Sequence, residues 1–312
     1  MNQKLSERDT QREQNNREEL AERIARGVTQ NGRIQPIKGL YLTRFSAPTE
    51  AVHGTAEPSF CVIAQGGKEV YLGNDLYRYD PYSYLLATLE LPVVSRIVDA
   101  SERRPFLGLR LNLDPALVGA VMVEMAQFGP RGMGDPKAIC VSGLDTSLLD
   151  AVLRLVRLLE SPDETRLLFP LVAREIMYRL LSGEQGDRLR QMTMGSGQAA
   201  QISKAVETIC RAFHQPLRVE EIARQIGMSV SGFHHHFKAV TAMSPLQFQK
   251  HLRLREARRL LLTEHLDAAT AGFRVGYEDA SYFSRDYKRL FGVPPMRDVE
   301  RLREAAIVSG DV

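Results

Sequence analysis

Val219-Glu220-Glu221-Ile222-Ala223-Arg224-Gln225-Ile226-Gly227-Met228-Ser229-Val230-Ser231-Gly232-Phe233-His234-His235-His236-Phe237-Lys238 holds two helical patterns broken at a glycine. Val219, Ile222, Ala223 and Ile226 fall at i, i+3, i+4 and i+7, one apolar face of a helix. Gly227 stops that helix, because a left-handed C-cap is easiest for glycine. Ser229 is suited to cap the next helix. Phe233 and Phe237, four apart, give the second helix a buried edge. The spacing predicts helix, tight turn, helix, with a polar face on the second helix.

The plan recurs downstream. Ala268 to Val275 reads as a short helix, Gly276 as a turn and Asp279 as a cap. Phe283 and Tyr287 repeat the Phe233/Phe237 pair, and Lys288 repeats Lys238. The offset is read as 50 residues throughout, which marks an internal duplication. Between the two units, Ser244-Pro245-Leu246-Gln247 has the makings of a capping box with proline in the first turn. Leu246, Phe248, Leu252, Leu254, Ala257, Leu260 and Leu261 carry that helix to about Thr263. Its length, roughly 27 Å, approaches the ~34 Å of one B-DNA turn. Two recognition helices so joined can reach successive major grooves.

Charge supports a nucleic-acid partner independently. Residues 198–303 carry 17 Lys and Arg against 11 Asp and Glu, a balance of +6 in a chain of +3 overall. The remainder is therefore at −3. A basic module beside a mildly acidic remainder fits phosphate contact and salt-sensitive binding. The competing reading, a solvated helical face, does not account for the duplication. With Phe233 and Phe237 turned inward, Ser231, His234, His235 and Lys238 are left for the DNA side. Arg285 is the strongest single candidate for base reading, since arginine matches guanine O6 and N7 with two hydrogen bonds. A phosphate clamp, or an ion pair with Asp286 or Glu278, is its alternative. Lys288 is assigned to phosphate. His234-His235-His236 does not suit a metal, because neighbours on a helix point ~100° apart.

Residues 202–303 resemble the DNA-binding domain of the AraC/XylS family of bacterial transcription regulators. The stretch Gly276-Tyr277-Glu278-Asp279-Ala280-Ser281-Tyr282-Phe283-Ser284-Arg285-Asp286-Tyr287-Lys288-Arg289-Leu290-Phe291-Gly292-Val293-Pro294-Pro295 carries the likeness. The resemblance implies base contacts near Ser231, His234 and His235 in the first unit, and near Ser281, Tyr282 and Arg285 in the second. Gly272 departs from the alanine usual in this family. Glycine inside a helix costs ~1 kcal/mol, which predicts a soft second unit.

Upstream the periodicity changes. Glu13 to Val28 predicts a charged helix with Leu20, Ile24 and Val28 as a thin apolar stripe. Strands follow at Leu40–Phe45, Ser59–Ala64, Lys68–Leu72, Leu76–Tyr79, Tyr84–Thr88, Val93–Ile97 and Phe106–Leu111, with Gly73-Asn74-Asp75 as a hairpin signal. Many short strands between Gly and Pro turns suggest a small barrel or sandwich. Pro58-Ser59-Phe60-Cys61-Val62-Ile63-Ala64-Gln65-Gly66-Gly67-Lys68, followed by Tyr79-Asp80-Pro81, resembles the cupin-like N-terminal domain of one AraC branch. Pro115 to Gln127, Thr146 to Leu159 and Asp163 to Leu181 predict helices. Leu148, Val152, Leu155, Val156 and Leu159 stripe the second of these, and Leu167, Leu171, Ile176 and Leu180 the third. The resemblance implies that such helices dimerise; packing only on their own barrel is the alternative. Gly183 to Gln198, with Met194-Gly195-Ser196-Gly197, reads as a linker.

The expected class is therefore α+β. A cupin-like β-barrel with flanking helices precedes an all-α domain of two helix-turn-helix units joined by a long helix. The expected bounds are an N-terminal helical segment at 1–33, a sensor domain at 34–182, a linker at 183–198, the DNA-binding domain at 199–303 and a tail at 304–312. Metal-dependent cupins need several histidines and a carboxylate, whereas His53 is the only histidine before residue 200. No metal, cofactor or catalytic set is expected, and the default is a ligand cup. Phe60, Val62, Tyr71, Tyr84, Leu86 and Arg110 are its candidate lining, each with a core role as the alternative. Cys61 is either an electrophile sensor or an inert buried thiol with a raised pKa. Three scattered cysteines, a charged N-terminus without an apolar core and no long apolar run point to a cytoplasmic protein without disulfides or membrane spans. The expected partners are double-stranded promoter DNA, a small-molecule effector and a second copy of the chain, with RNA polymerase a candidate fourth. A constitutive regulator whose N-terminal domain only dimerises, or a cupin-like enzyme fused to a DNA-binding module, are the alternatives.

Overall fold

A computed structural model describes residues 2–125, 137–193 and 198–309. The chain divides into two compact units, residues 1–200 and 201–312. In the first, α1 (Asn2–Gly27) precedes β1 (Gly32–Ile37), β2 (Leu40–Phe45), β3 (Val52–Ala56), β4 (Ser59–Gln65), β5 (Gly67–Leu72), β6 (Asp75–Tyr79), β7 (Ser83–Ala87), β8 (Leu91–Asp99) and β9 (Phe106–Asn112). After these come α2 (Pro115–Glu124), β10 (Ile139–Gly143), α3 (Thr146–Arg157), α4 (Pro162–Ser182) and α5 (Gly186–Thr193). Pro115 to Gln127 was expected as one helix; α2 ends at Glu124, and Gln127 lies outside the described residues, as do 194–197.

The strands form two antiparallel sheets, ordered β1-β2-β9-β4-β7-β10 and β3-β8-β5-β6. This is a pair of sheets rather than a closed ring. The hairpin signal holds: β5 and β6 pair through Leu72 and Asp75 around a Gly73-Asn74 turn. The alternation of the large sheet decides what each face does. Leu40, Leu42, Phe60, Val62, Tyr84, Leu86, Leu109 and Leu111 are buried in one core with Leu20, Ile24 and Val28 of the α1 segment and Leu148, Val152 and Leu155 of α3. That core is covered by helices. The opposite face of the same strands, including Thr43, Cys61, Gly108 and Arg110, lines a cavity shared with β5, β6 and β8.

Two helical expectations need correction. Leu167 and Leu171 do not share a stripe with Ile176 and Leu180. The latter pair is buried, while Leu167 is 72% exposed and Leu171 61%, so α4 carries apolar residues on two faces. The segment read as a linker contains α5, whose Leu189 and Arg190 are buried. The Arg190 guanidinium donates to the Leu181 carbonyl and pairs with Asp187, which ties the segment to the end of α4.

α6 (Gln198–Arg211) leads into the second unit. There α7 (Val219–Gln225) and α8 (Val230–Thr241) form the first pair, α9 (Pro245–Thr263) the connector, α10 (Ala268–Arg274) and α11 (Ala280–Phe291) the second pair, and α12 (Pro295–Ser309) the closing helix. The caps are the predicted ones. Ser229 accepts from the Gly232 amide, Asp279 from those of Ser281 and Tyr282, and Ser244 and Gln247 complete a capping box. Gly227 and Gly276 take positive φ, +70° and +93°, as the turns require. The duplication offset is 50 between α8 and α11 but 49 between α7 and α10, so the second turn is one residue longer. Phe237 meets Phe248 near the start of α9 at 5.5 Å between ring centroids, while Phe283 and Tyr287 join Leu254, Ala257 and Leu261 further along. One helix thus carries both pairs.

Gly272 has a packing role that its helix propensity conceals. A Cβ there would lie 2.9 Å from Phe283 Cγ. Glycine lets α10 approach the aromatic edge of α11, so the expected softness is not what this position records.

Candidate nucleic-acid interface

In α8 and α11 burial and exposure divide cleanly by side. Phe233, Phe237, Phe283 and Tyr287 are fully buried. Ser231, His234, His235 and Lys238 are exposed, and so are Ser281, Tyr282, Arg285 and Lys288. Positions 231, 234, 235 and 238 are three and four apart, hence on one face. Positions 281, 285 and 288 repeat that spacing.

Arg285 stacks on the Tyr282 ring, 4.4 Å from guanidinium carbon to centroid. Its suggested ion pair with Asp286 does not form. Asp286 instead pairs with Lys250 at 2.9 Å and accepts from the Tyr277 hydroxyl, so the Arg285 donors remain available to a ligand. Base reading and phosphate clamping both stay open to it.

A buried polar frame holds α11. The carboxylate of Asp298 is wholly buried and receives Arg258 at 2.7 and 3.0 Å, the Tyr287 hydroxyl at 2.9 Å and Arg301 at 3.2 Å. Burial, with Asp298 adjacent, keeps the Tyr287 phenol protonated far above its usual range. Arg253 of α9 donates to the carbonyls of Phe213, Gln215 and Gly276. It thereby fastens the end of α6 to the turn of the second pair. Sequence reading missed Arg253 and Asp298, because an arginine or aspartate in a helix gives no sign of burial by itself.

The first unit holds a second candidate site. Its cavity of about 160 Å³ is lined by Arg33, Thr43, Cys61, Lys68, Tyr79 and Arg110, with Phe106 and Ile97 as apolar wall. Burial pushes the Cys61 thiol up, which agrees with the inert alternative. Burial also pushes the Tyr79 phenol up and the Lys68 ammonium down. None of the three cysteines, all among the described residues, forms a disulfide.

Residues 36–188 match the family of the AraC-type transcriptional regulator N-terminus, and residues 222–301 match a helix-turn-helix domain. The chain belongs to the AraC family. Among AraC-type relatives, the MmsAB operon regulatory protein of Pseudomonas aeruginosa is 33% identical over 91 residues, 29% of this chain and 30% of its own. The virulence regulon transcriptional activator VirF of Yersinia enterocolitica is 25% identical over 169 residues, 53% of this chain and 60% of its own. The chain thus spans less than two thirds of the length of these curated relatives. The unsaturated fatty acid bound structure of ToxT from Vibrio cholerae aligns at TM-score 0.52 and 11% identity, covering 84% of this chain and 93% of that one. At that identity the likeness concerns the fold.

The eight residues assigned to DNA in this AraC-family chain lie on the exposed faces just described. The six assigned to the ligand separate. Arg110 lines the cavity, and Val62 borders it while belonging to the core beneath the helices. Phe60, Tyr84 and Leu86 belong to the core beneath the helices. Tyr71 donates to Glu69 and accepts from Arg96 on the small sheet. Bulky apolar residues on strands mark the better-buried face, and here that face meets α1 and α3. The missed lining residues come from both sheets, Cys61 from β4, Lys68 from β5 and Tyr79 from β6.

Proposed function

We propose that this protein is a sequence-specific DNA-binding transcription regulator of the cytoplasm whose first unit senses a small molecule. The observation that carries the reading is the pairing of α8 and α11. Each is capped at its first turn, buries two aromatic rings four apart, and exposes a face of serine, histidine or arginine, and lysine. A helix presenting such a face is the recognition element of the helix-turn-helix class. The basic balance of residues 198–303 supplies the phosphate attraction.

The cavity of the first unit supports sensing. Binding there alters transcription only if the ligand prefers one of two states that differ in DNA affinity. A second copy of the chain is the proposed partner of α4, whose Leu167, Leu171 and Tyr178 are exposed, as is Val123 of α2. RNA polymerase is proposed as a further partner, supported by the naming of VirF as a transcriptional activator.

The test is operator affinity and reporter output of the full-length protein at fixed salt, with and without a metabolite extract. The sensor reading expects both to change with the extract. Unchanged affinity and unchanged output mean a constitutive regulator.

A further inference from the structure

The cavity of the first unit carries more positive charge than its walls neutralise. Among the described residues no aspartate or glutamate lines it. Arg96 is at its edge but paired with Glu69 at 2.8 Å. Arg110 reaches Glu57 at 3.0 Å and lies 4.2 Å over the Tyr41 ring, yet its Nε is buried with no hydrogen-bond partner. Arg33 stands at the mouth and donates to the Thr43 hydroxyl at 3.4 Å. Lys68 is half-buried and lines the cavity, and its ammonium makes no ion pair or hydrogen bond among the described residues.

A half-buried lysine without a counterion, with two guanidinium groups near it, is costly unless an anion completes the set. A methionine would fill the same space at less cost. Burial and the like charges of Arg33 and Arg110 depress the Lys68 pKa, the mark of a cation without its counterion. Guanidinium groups fit a planar carboxylate in particular. The Tyr79 and Thr43 hydroxyls add donors to the same lining. The volume, about 160 Å³, is close to the ~150 Å³ of a cavity that admits benzene. The remaining walls, Ile97 and Phe106 among them, are apolar.

We propose that this cavity binds a small organic carboxylate, with Lys68 and Arg110 holding the carboxylate, Arg33 at the entrance and a ring-sized apolar body against Phe106 and Ile97. This deepens the sensor reading and rests on it only for the consequence at DNA, not for the binding itself.

The probes are cyclohexanecarboxylate, its neutral isostere cyclohexanecarboxamide and inorganic phosphate, each titrated calorimetrically into the full-length protein. The acid is expected to bind at least about tenfold more tightly than the amide, and phosphate more weakly than the acid. Lys68→Met is expected to keep or raise the unliganded Tm while weakening the acid at least about tenfold. A merely structural lysine would show the reverse, a lower Tm. The acid–amide comparison needs no variant, so it decides the matter even if Lys68→Met misfolds. Equal binding of acid and amide, no binding of the acid, phosphate binding as tightly, or undiminished binding by Lys68→Met would overturn the proposal. If the acid binds through Lys68 but operator affinity does not move, the site stands and the sensor reading fails. If an extract moves operator affinity while the cavity takes no acid, the site fails and the sensor reading stands.

Discussion

Arg285 and Lys288 share the exposed face of α11, three residues apart, and under the proposed function their chemistry would divide the work of binding. A planar guanidinium reads guanine with two hydrogen bonds, whereas an ammonium is a point charge suited to phosphate. Arg285→Ala is expected to cost ~1–3 kcal/mol on the preferred site and to relax one base position. Lys288→Ala is expected to weaken all sequences alike and to reduce the salt slope by about one. Binding measured on a panel of single-base variants over a salt series separates the two, and a uniform loss in both mutants would contradict the assignment. Gly272→Ala is a stability test. Helix propensity alone would make it stabilising by ~1 kcal/mol. The 2.9 Å approach to Phe283 predicts a loss of about 1–3 kcal/mol, as overpacking does. Denaturant melts give the sign directly. At this scale the recognition faces were legible because two aromatic rings four apart leave one side for solvent. The cavity was not, because a strand has two buried faces here and apolar bulk does not say which of them meets the other sheet.

Among elements, α1 shows how far a sparse signal carries. Leu20, Ile24 and Val28, expected as a thin stripe, are all buried in the core of the first unit. Arg157 of α3 donates two hydrogen bonds to Glu19, at 2.8 and 2.6 Å, and Arg23 adds a third contact at 2.7 Å. With Arg157 first and Arg23 second, these hold the Glu19 carboxyl at about 2, below its usual 4.5. A lowered carboxylate pKa stabilises fully above the unfolded value and is lost as pH falls through the folded one. Stability is therefore expected to decline from about pH 4.5 towards pH 2. Glu19→Gln should flatten that part of the pH profile and cost about 1 kcal/mol at neutral pH, discounted for partial exposure. An unchanged acid limb in thermal melts would count against α1 docking through this pair. The strands that escaped sequence reading are physically distinctive. β1, β3 and β10 are sheet edges; β1 holds Pro36 and mostly exposed residues, β3 holds Gly54, and β10 is mostly buried but only five residues long. Of these, β1 and β3 bury little, so they lack the alternation that reveals inner strands. α5 was hidden by the glycines around it, although its buried Arg190 fastens it to the end of α4.

For the whole molecule, the apolar side of α4 leads to a prediction about assembly. Leu171→Glu is expected to shift the full-length protein from dimer to monomer in sedimentation velocity while leaving its Tm within about 0.5 kcal/mol of stability, as exposed substitutions do. A monomeric wild type would remove the second copy from the account of α4. The division into two units followed from the change of period and of charge along the chain, strands and a balance of −1 over residues 1–197 giving way to helices and +6 over 198–303. What each unit recognises was legible only for the second, because a duplicated motif fixes the geometry of two helices together. A cavity forms from residues far apart in sequence, and no local pattern announces it.

DNA selection with the purified full-length protein, at stated salt, tests the tandem reading most directly. Two recognition helices on one connector predict a discrete motif of two half-sites about one helical turn, ~10.5 base pairs, apart, with Arg285→Ala degrading one of them. Diffuse, salt-labile binding without a motif, or a single half-site untouched by changes in α11, would contradict it.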